Sequence, residues 1–227
     1  MAANNFYTSS IGKKIIVGLT GLFLISFMLV HLSINSLILV DIINPDDNGA
    51  TFNVAAHFMS HNWAIRVMEI GLFLGLIAHI VLTLKLQFEN NSKRPVKYVV
   101  SAANKNSKWY SRSMAILGSL LLIFLATHLY QFWLPTKQAL YITHEEENSF
   151  QMVINTLTCP INLVIYLLGF IALGYHLLHG FPSAFQSLGL NHKKYTSIIK
   201  TLGTIFSIFV PAMFGIIALA IFFGLVQ

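Results

Sequence analysis

The run IIVGLTGLFLISFMLVHLSINSLILV, residues 15–40, decides the fold of this chain. It contains no Asp, Glu, Lys or Arg. A hydrocarbon core about 30 Å thick needs about 20 apolar residues in a helix, so this run spans a membrane. Four more apolar segments follow, at 64–86, 113–134, 161–181 and 199–226. The expected architecture is all-α: one integral membrane domain, 1–227, with five transmembrane helices. Strands do not suit these segments, which lack ten-residue alternation, and an open sheet leaves backbone groups unsatisfied in lipid. Pro211 falls within the fifth segment and is expected to kink it.

Composition agrees. Of 227 residues, 56% are hydrophobic and 10% charged, against about 25% charged in soluble domains. The formal charge of +6 therefore reads as membrane topology and not as nucleic-acid binding. The lone Cys159 excludes an internal disulfide and any CxxC pair. The polar start MAANNFYTSSIGKK shows no cleavable signal.

Lys13 and Lys14 precede the first segment. Lys85, Lys93, Arg94, Lys97, Lys105, Lys108 and Arg112 lie between the second and third, and Lys193, Lys194 and Lys200 between the fourth and fifth. The alternate loops carry Asp41, Asp46, Asp47, Glu145, Glu146 and Glu147, with Arg66 and Lys137 as their basic residues. The positive-inside rule then puts the N-terminus in the cytoplasm and the C-terminus outside. Trp63, Trp109 and Trp133 fall at segment ends, as interface anchors do. The basic loops serve topology, docking of a soluble partner, or both.

The first four segments hold one deep histidine each: His31, His79, His128 and His176. Ionisable residues inside a membrane are rare and usually functional. His31 is 17 residues past Lys14 and His128 is 16 past Arg112, or about 25 Å from the basic side at 1.5 Å per residue. His79 is six residues before Lys85 and His176 six before Pro182, or about 9 Å. The depths pair His31 with His128 and His79 with His176. Two imidazoles facing each other at one depth suit the axial positions of a haem iron in an apolar slot. Gly71 and Gly75 share a stripe with His79, and Ala172 and Gly180 share one with His176. Small residues there give a macrocycle room, or else serve close helix packing.

A proton relay or transporter would recruit intramembrane carboxylates, and only Glu69 lies within a segment. Zinc needs a third ligand at one depth. His179, one turn from His176, is an alternative ligand, a propionate contact or a helix cap. His57 and His61 have the i, i+4 spacing of half a metal site but no evident third ligand. His144 and His192 sit in charged loops.

On these residues the chain resembles the di-haem cytochrome b anchor subunit of succinate:quinone oxidoreductase and fumarate reductase, respiratory complex II, in its single-subunit five-helix form. The resemblance runs through SSIGKKIIVGLTGLFLISFMLVHL, HNWAIRVMEIGLFLGLIAHI, SRSMAILGSLLLIFLATHLYQFW and YHLLHGFPSAFQSLG. It implies two b haems, a distal one on His31 and His128 and a proximal one on His79 and His176. It implies flavoprotein and iron–sulfur partners at the cytoplasmic face of a bacterial inner membrane, and menaquinone as electron acceptor. For the quinone site, Glu69 is the leading candidate for proton exchange, with Arg66 one turn away, although the two also suit a simple i, i+3 pair. Trp63 and Asn62 are candidate lining. The SSIGKK stretch is similar to a serine–basic motif near a cytoplasmic-side quinone in the other anchor type; in a two-haem anchor Lys13 and Lys14 read as sidedness markers. Some di-haem fumarate reductase anchors carry a glutamate two residues before the fourth-helix ligand, where this chain has Gly174. That departure favours succinate oxidation. A cytochrome b anchor of a hydrogenase or formate dehydrogenase is the alternative within the same chemistry, and a haem-free transporter or structural anchor the alternative outside it.

Overall fold

The computed structural model describes residues 9–92, 108–145 and 148–226. Lys93, Arg94, Lys97, Lys105, Glu146 and Glu147 lie outside the described residues, as does the polar start before Ser9. Among the described residues there are no strands, and five helices are long and apolar enough to cross a membrane. They are the first span Ser10–Ile43, the second Trp63–Asn90, the third Met114–Thr143, the fourth Pro160–Ser187 and the fifth Lys193–Phe222. Most ends run past the apolar segments, because a helix leaving hydrocarbon keeps satisfying its own backbone.

Local chemistry sets several boundaries. Ser9 caps the first span, its Oγ accepting from the Gly12 N–H at 3.0 Å. Asn62 starts the second, its Oδ1 accepting from Ala64 N–H at 2.9 Å. Pro160 occupies the first turn of the fourth, where its missing N–H costs nothing.

Pro182 does not close the fourth span, contrary to the boundary expected at 181; the helix continues to Ser187. Packing holds it. A Cβ on Gly18 of the first span would lie 3.1 Å from the Ala184 carbonyl and 3.4 Å from Ser187 Cβ, so the turns after Pro182 are pressed against a neighbour. Pro211 likewise interrupts no helix. It has no N–H for the carbonyl four residues back, that of Ser207. That carbonyl faces the fourth span, where a Cβ on Gly174 would sit 3.2 Å from it.

The third span is the irregular one. It is α-helical over Met114–His128, widens into a π turn at Leu129–Trp133 just before Pro135, and takes a second π turn at Ala139–Thr143. Wide turns of this kind re-aim side chains and cluster at functional sites.

The core lies between the first, fourth and fifth spans at the end marked by Asp41. Leu32, Leu163, Tyr166, Val210, Phe214, Ile217 and Ile221 are buried there. Two short helices, Ala50–His61 and Ser149–Leu157, close this end. Asn53 locks them together: its Nδ2 donates to Asn148 Oδ1 at 3.0 Å and its Oδ1 accepts from Phe150 N–H at 2.8 Å. Gly49 enters the first cap helix at φ +71°, with the Phe150 ring where a side chain would be. Its N–H donates to buried Asp41 at 2.9 Å.

The opposite end gathers Lys13, Arg112 and Lys193 at the ends of their helices. Lys13 is not the exposed marker that its charge suggests. It is 4% exposed and ion-paired with Glu89, near the end of the second span. Glu89 is thus a second acidic residue on that helix besides Glu69. An ammonium so deeply buried needs a carboxylate, and the pair fastens the first span to the second.

Candidate functional site

The four deep histidines meet in two pairs. The rings of His31 and His128 stand 5.8 Å apart between centroids at 85°, and those of His79 and His176 stand 6.5 Å apart at 63°. Each pair joins the spans that depth assigns to it. His79 lies against Gly21 and Thr20 of the first span, ten and eleven residues before His31. On the fourth span, Tyr166 lies beside His128, ten residues before His176. Both helices therefore separate the two levels by about 15 Å.

Aromatic rings wall the His31 level. His31 stacks on Phe27 at 5.3 Å and meets Phe214 at 5.6 Å; His128 stacks on Phe124 at 5.9 Å and meets Phe132 at 5.2 Å. Tyr166 bridges this wall to a polar cluster. Its hydroxyl is 3.4 Å from His128 Nδ1 and donates to Gln131 Oε1 at 2.9 Å. Gln131 rides on the first π turn.

At the other level, Thr20 Oγ1 is 3.2 Å from His79 Nδ1. The Thr20 hydrogen goes to a carbonyl of its own helix, Ile16 at 2.9 Å or Val17 at 3.1 Å. With its hydrogen so placed, its oxygen can accept from His79 Nδ1–H, an arrangement that leaves Nε2 as a lone pair. His176 Nδ1 is buried with no hydrogen-bond partner among the described residues. Such an atom costs about 1–3 kcal/mol unless something binds it.

Imidazoles bonded to one metal from opposite sides, at about 2 Å each, place ring centroids about 6 Å apart. Both pairs have that spacing. Among the described residues no three His, Cys, Asp or Glu side chains group to hold a metal ion, and a haem iron takes only two.

The flanking small residues divide. Gly21 and Gly180 border the His79–His176 pair, with a Gly21 Cβ 3.4 Å from His79 Cε1 and a Gly180 Cβ 3.9 Å from His176 Cδ2. Ala172 is buried at 3% exposure. Gly75 instead receives Phe23, 3.2 Å from its would-be Cβ, and Gly71 has open space around it. Gly71 does not border the histidines. His179 turns to Ser183, with Nε2 3.2 Å from Oγ, and it is His176 that meets His79.

Glu69 does not pair with Arg66. Glu69 bonds Lys137 Nζ at 2.7 Å and Trp133 Nε1–H, both on the third span. Arg66 bonds the Ser60 carbonyl at 3.2 Å and lies over the Tyr141 ring at 5.4 Å. Trp133 packs on Phe73 at 5.1 Å and is 39% exposed, whereas Trp63 is 77% exposed. Glu69, Trp133, Lys137 and Phe73 thus form a polar-aromatic corner between the second and third spans.

His57 and His61 stack at 3.8 Å with planes 15° from parallel, exposed on the cap helix. In-plane lone pairs of parallel rings do not converge, so the pair is no chelate. His192 caps the fifth span through Lys194 N–H at 3.2 Å, and exposed His144 closes the third at φ 54°.

Thr20, Tyr166, Gln131, Asn162, Trp133 and Lys137 escape a reading centred on histidine depth. The available signal is Gln131 and Asn162, amides close to the ends of apolar runs, where each must find a partner on a neighbouring helix. Comparison with known proteins found no matching family model, no similar curated protein and no similar solved structure.

Proposed function

We propose that this chain is the membrane anchor of a succinate:menaquinone oxidoreductase, holding two b haems in the inner membrane of a bacterium. One observation carries the proposal: the four histidines, one per span, meet as two facing pairs about 15 Å apart along the bundle. His31 and His128 would hold one haem, His79 and His176 the other. The donor set fits. Neutral imidazole is the required ligand, Thr20 is placed to accept from His79 Nδ1–H and so leave Nε2 a lone pair, and His176 has a buried Nδ1 with no hydrogen-bond partner among the described residues. When bound, haem supplies one-electron transfer between an iron–sulfur partner and a quinone.

The chain's own residues do the rest. Lys14, Arg112 and Lys193 mark the end that we assign to the cytoplasm by their charge, where flavoprotein and iron–sulfur partners would dock. The Glu69 corner lies at the other end and is our candidate quinone site. Trp133 and Lys137 hold the Glu69 carboxylate, Phe73 and Trp133 offer a flat apolar wall, and Glu69 would pass protons to a reduced quinone. Arg66, bound elsewhere, would shape the rim with Tyr141.

Gly174 supports succinate oxidation as the working direction. A Cβ there would sit 3.2 Å from the Ser207 carbonyl, so a side chain at this position requires the fourth and fifth spans to give by a few tenths of an ångström. Succinate-driven reduction of menaquinone would then draw on the proton-motive force, and uncoupling sealed vesicles should slow it. The direct test is to purify the chain with its native partners and add succinate. Growth of b-type absorption is expected. A complex reduced by hydrogen or formate and not by succinate refutes the assignment.

A further inference from the structure

We infer that Tyr166 is a positioning residue for His128, the last link of a one-way hydrogen-bond chain that starts at a backbone carbonyl and keeps the His128 proton on Nδ1. The inference rests on the two-haem proposal, in which His128 offers Nε2 to iron.

The direction of every link follows from the first. The Thr156 carbonyl can only accept, and Asn162 Nδ2 donates to it at 3.0 Å. Asn162 must then turn Oδ1 the other way, where it accepts from Gln131 Nε2 at 3.0 Å. Gln131 in turn presents Oε1, which accepts from the Tyr166 hydroxyl at 2.9 Å. A phenol has one hydrogen, and this one is spent on Gln131. Toward His128 Nδ1, 3.4 Å away, the Tyr166 oxygen can only accept. His128 therefore carries its hydrogen on Nδ1 and a lone pair on Nε2. Flipping either amide would set donor against donor or acceptor against acceptor, and the Thr156 carbonyl has no second orientation.

The fold protects this order. Tyr166 is 4% exposed and held edge-on by Phe124 at 5.1 Å and Phe170 at 6.0 Å. The π turn at Leu129–Trp133 carries Gln131. Away from water, a mispaired link is costly and a matched one is strengthened by its neighbours. An acceptor on Nδ1–H also makes the opposite nitrogen a more basic ligand, and partners of this kind are worth about 10–100-fold in retention of a bound metal. At the other level Thr20 is placed to do the same for His79 in a single step.

Tyr166→Phe keeps the ring and its packing and removes only the oxygen. Gln131→Leu keeps Tyr166 but frees its hydrogen to point at His128. Redox titration and haem-release rates of the purified complex read both variants, with the His79–His176 haem as internal control. Two haems should remain in Tyr166→Phe. The one on His31 and His128 should titrate at higher potential and leave about 10–100-fold more readily, while the other does not change. Gln131→Leu should shift the same component. Two-haem variants that titrate like wild type, or in which both components shift together, overturn the inference while leaving the two-haem proposal intact. A wild-type complex with no b-type absorption overturns both.

Discussion

Gly169→Ala tests how the third and fourth spans support the His31–His128 level. Gly169 is buried on the fourth span, and a Cβ built there lies 2.5 Å from Phe124 Cδ2, 2.6 Å from Cγ and 3.0 Å from Cε2. Cγ is the root of the ring, so rotating the far edge away does not relieve the clash; Phe124 must change χ1 or the helices must separate. Two effects oppose. Alanine is the better helix former by about 1 kcal/mol, whereas overpacking a close helix contact costs about 1–3 kcal/mol. The net expectation is a loss of about 0–2 kcal/mol. Phe124 also stacks on His128 and meets Tyr166 edge-on, so its displacement should disturb one histidine pair and spare the other. Thermal unfolding in detergent reads the stability, and the absorption bands of the two proposed haems read the selectivity. A Gly169→Ala chain stabilised by the full helix-propensity gain, with unaltered spectra, would refute the packing described for this level.

Gly49→Ala should loosen the cap at the Asp41 end, because a side chain at φ +71° meets the Phe150 ring at 2.1 Å; a loss of about 1–3 kcal/mol is expected, read by thermal unfolding and by proteolysis of the 44–62 segment. Glu69→Gln should keep haem content while slowing quinone reduction, and Lys137→Met should do the same by leaving Glu69 without its cation; a turnover assay with a water-soluble quinone analogue checks both, and wild-type rates would remove the Glu69 corner from the quinone site. Gly174→Glu should destabilise the chain without creating a proton path, seen as lower thermal stability and unchanged proton uptake in vesicles, since a Cβ there already crowds the Ser207 carbonyl at 3.2 Å.

Hydropathy and histidine depth carried most of the fold and half of the candidate site. Apolar length is a one-dimensional signal, and it located all five spans. Depth is nearly one-dimensional too, since a helix converts residue number into height, and the two histidine pairs followed from it. Azimuth was harder to read. Glu69 and Arg66 are neighbours in number, yet Glu69 turns to Lys137 and Trp133 on another helix, and only packing decides which face meets which. Lys13 was misleading for a related reason: charge near a helix end reads as exposure until Glu89 arrives from the neighbouring span. Pro182 stayed within its helix because Ala184 and Ser187 pack on Gly18, a tertiary contact overriding a local preference. The chain from Thr156 to His128 runs from a cap helix through the fourth span to the π turn and helix of the third, and no spacing rule announces it.

The most direct measurement of the central claim is the number of b haems bound per chain, read from the reduced-minus-oxidised spectrum of the purified wild type and of four single variants, His31→Ala, His79→Ala, His128→Ala and His176→Ala. Two haems per wild-type chain are expected, with the first and third variants losing one spectral component and the second and fourth losing the other. A wild-type chain with one haem or none, or losses grouped as His31 with His79, would contradict it.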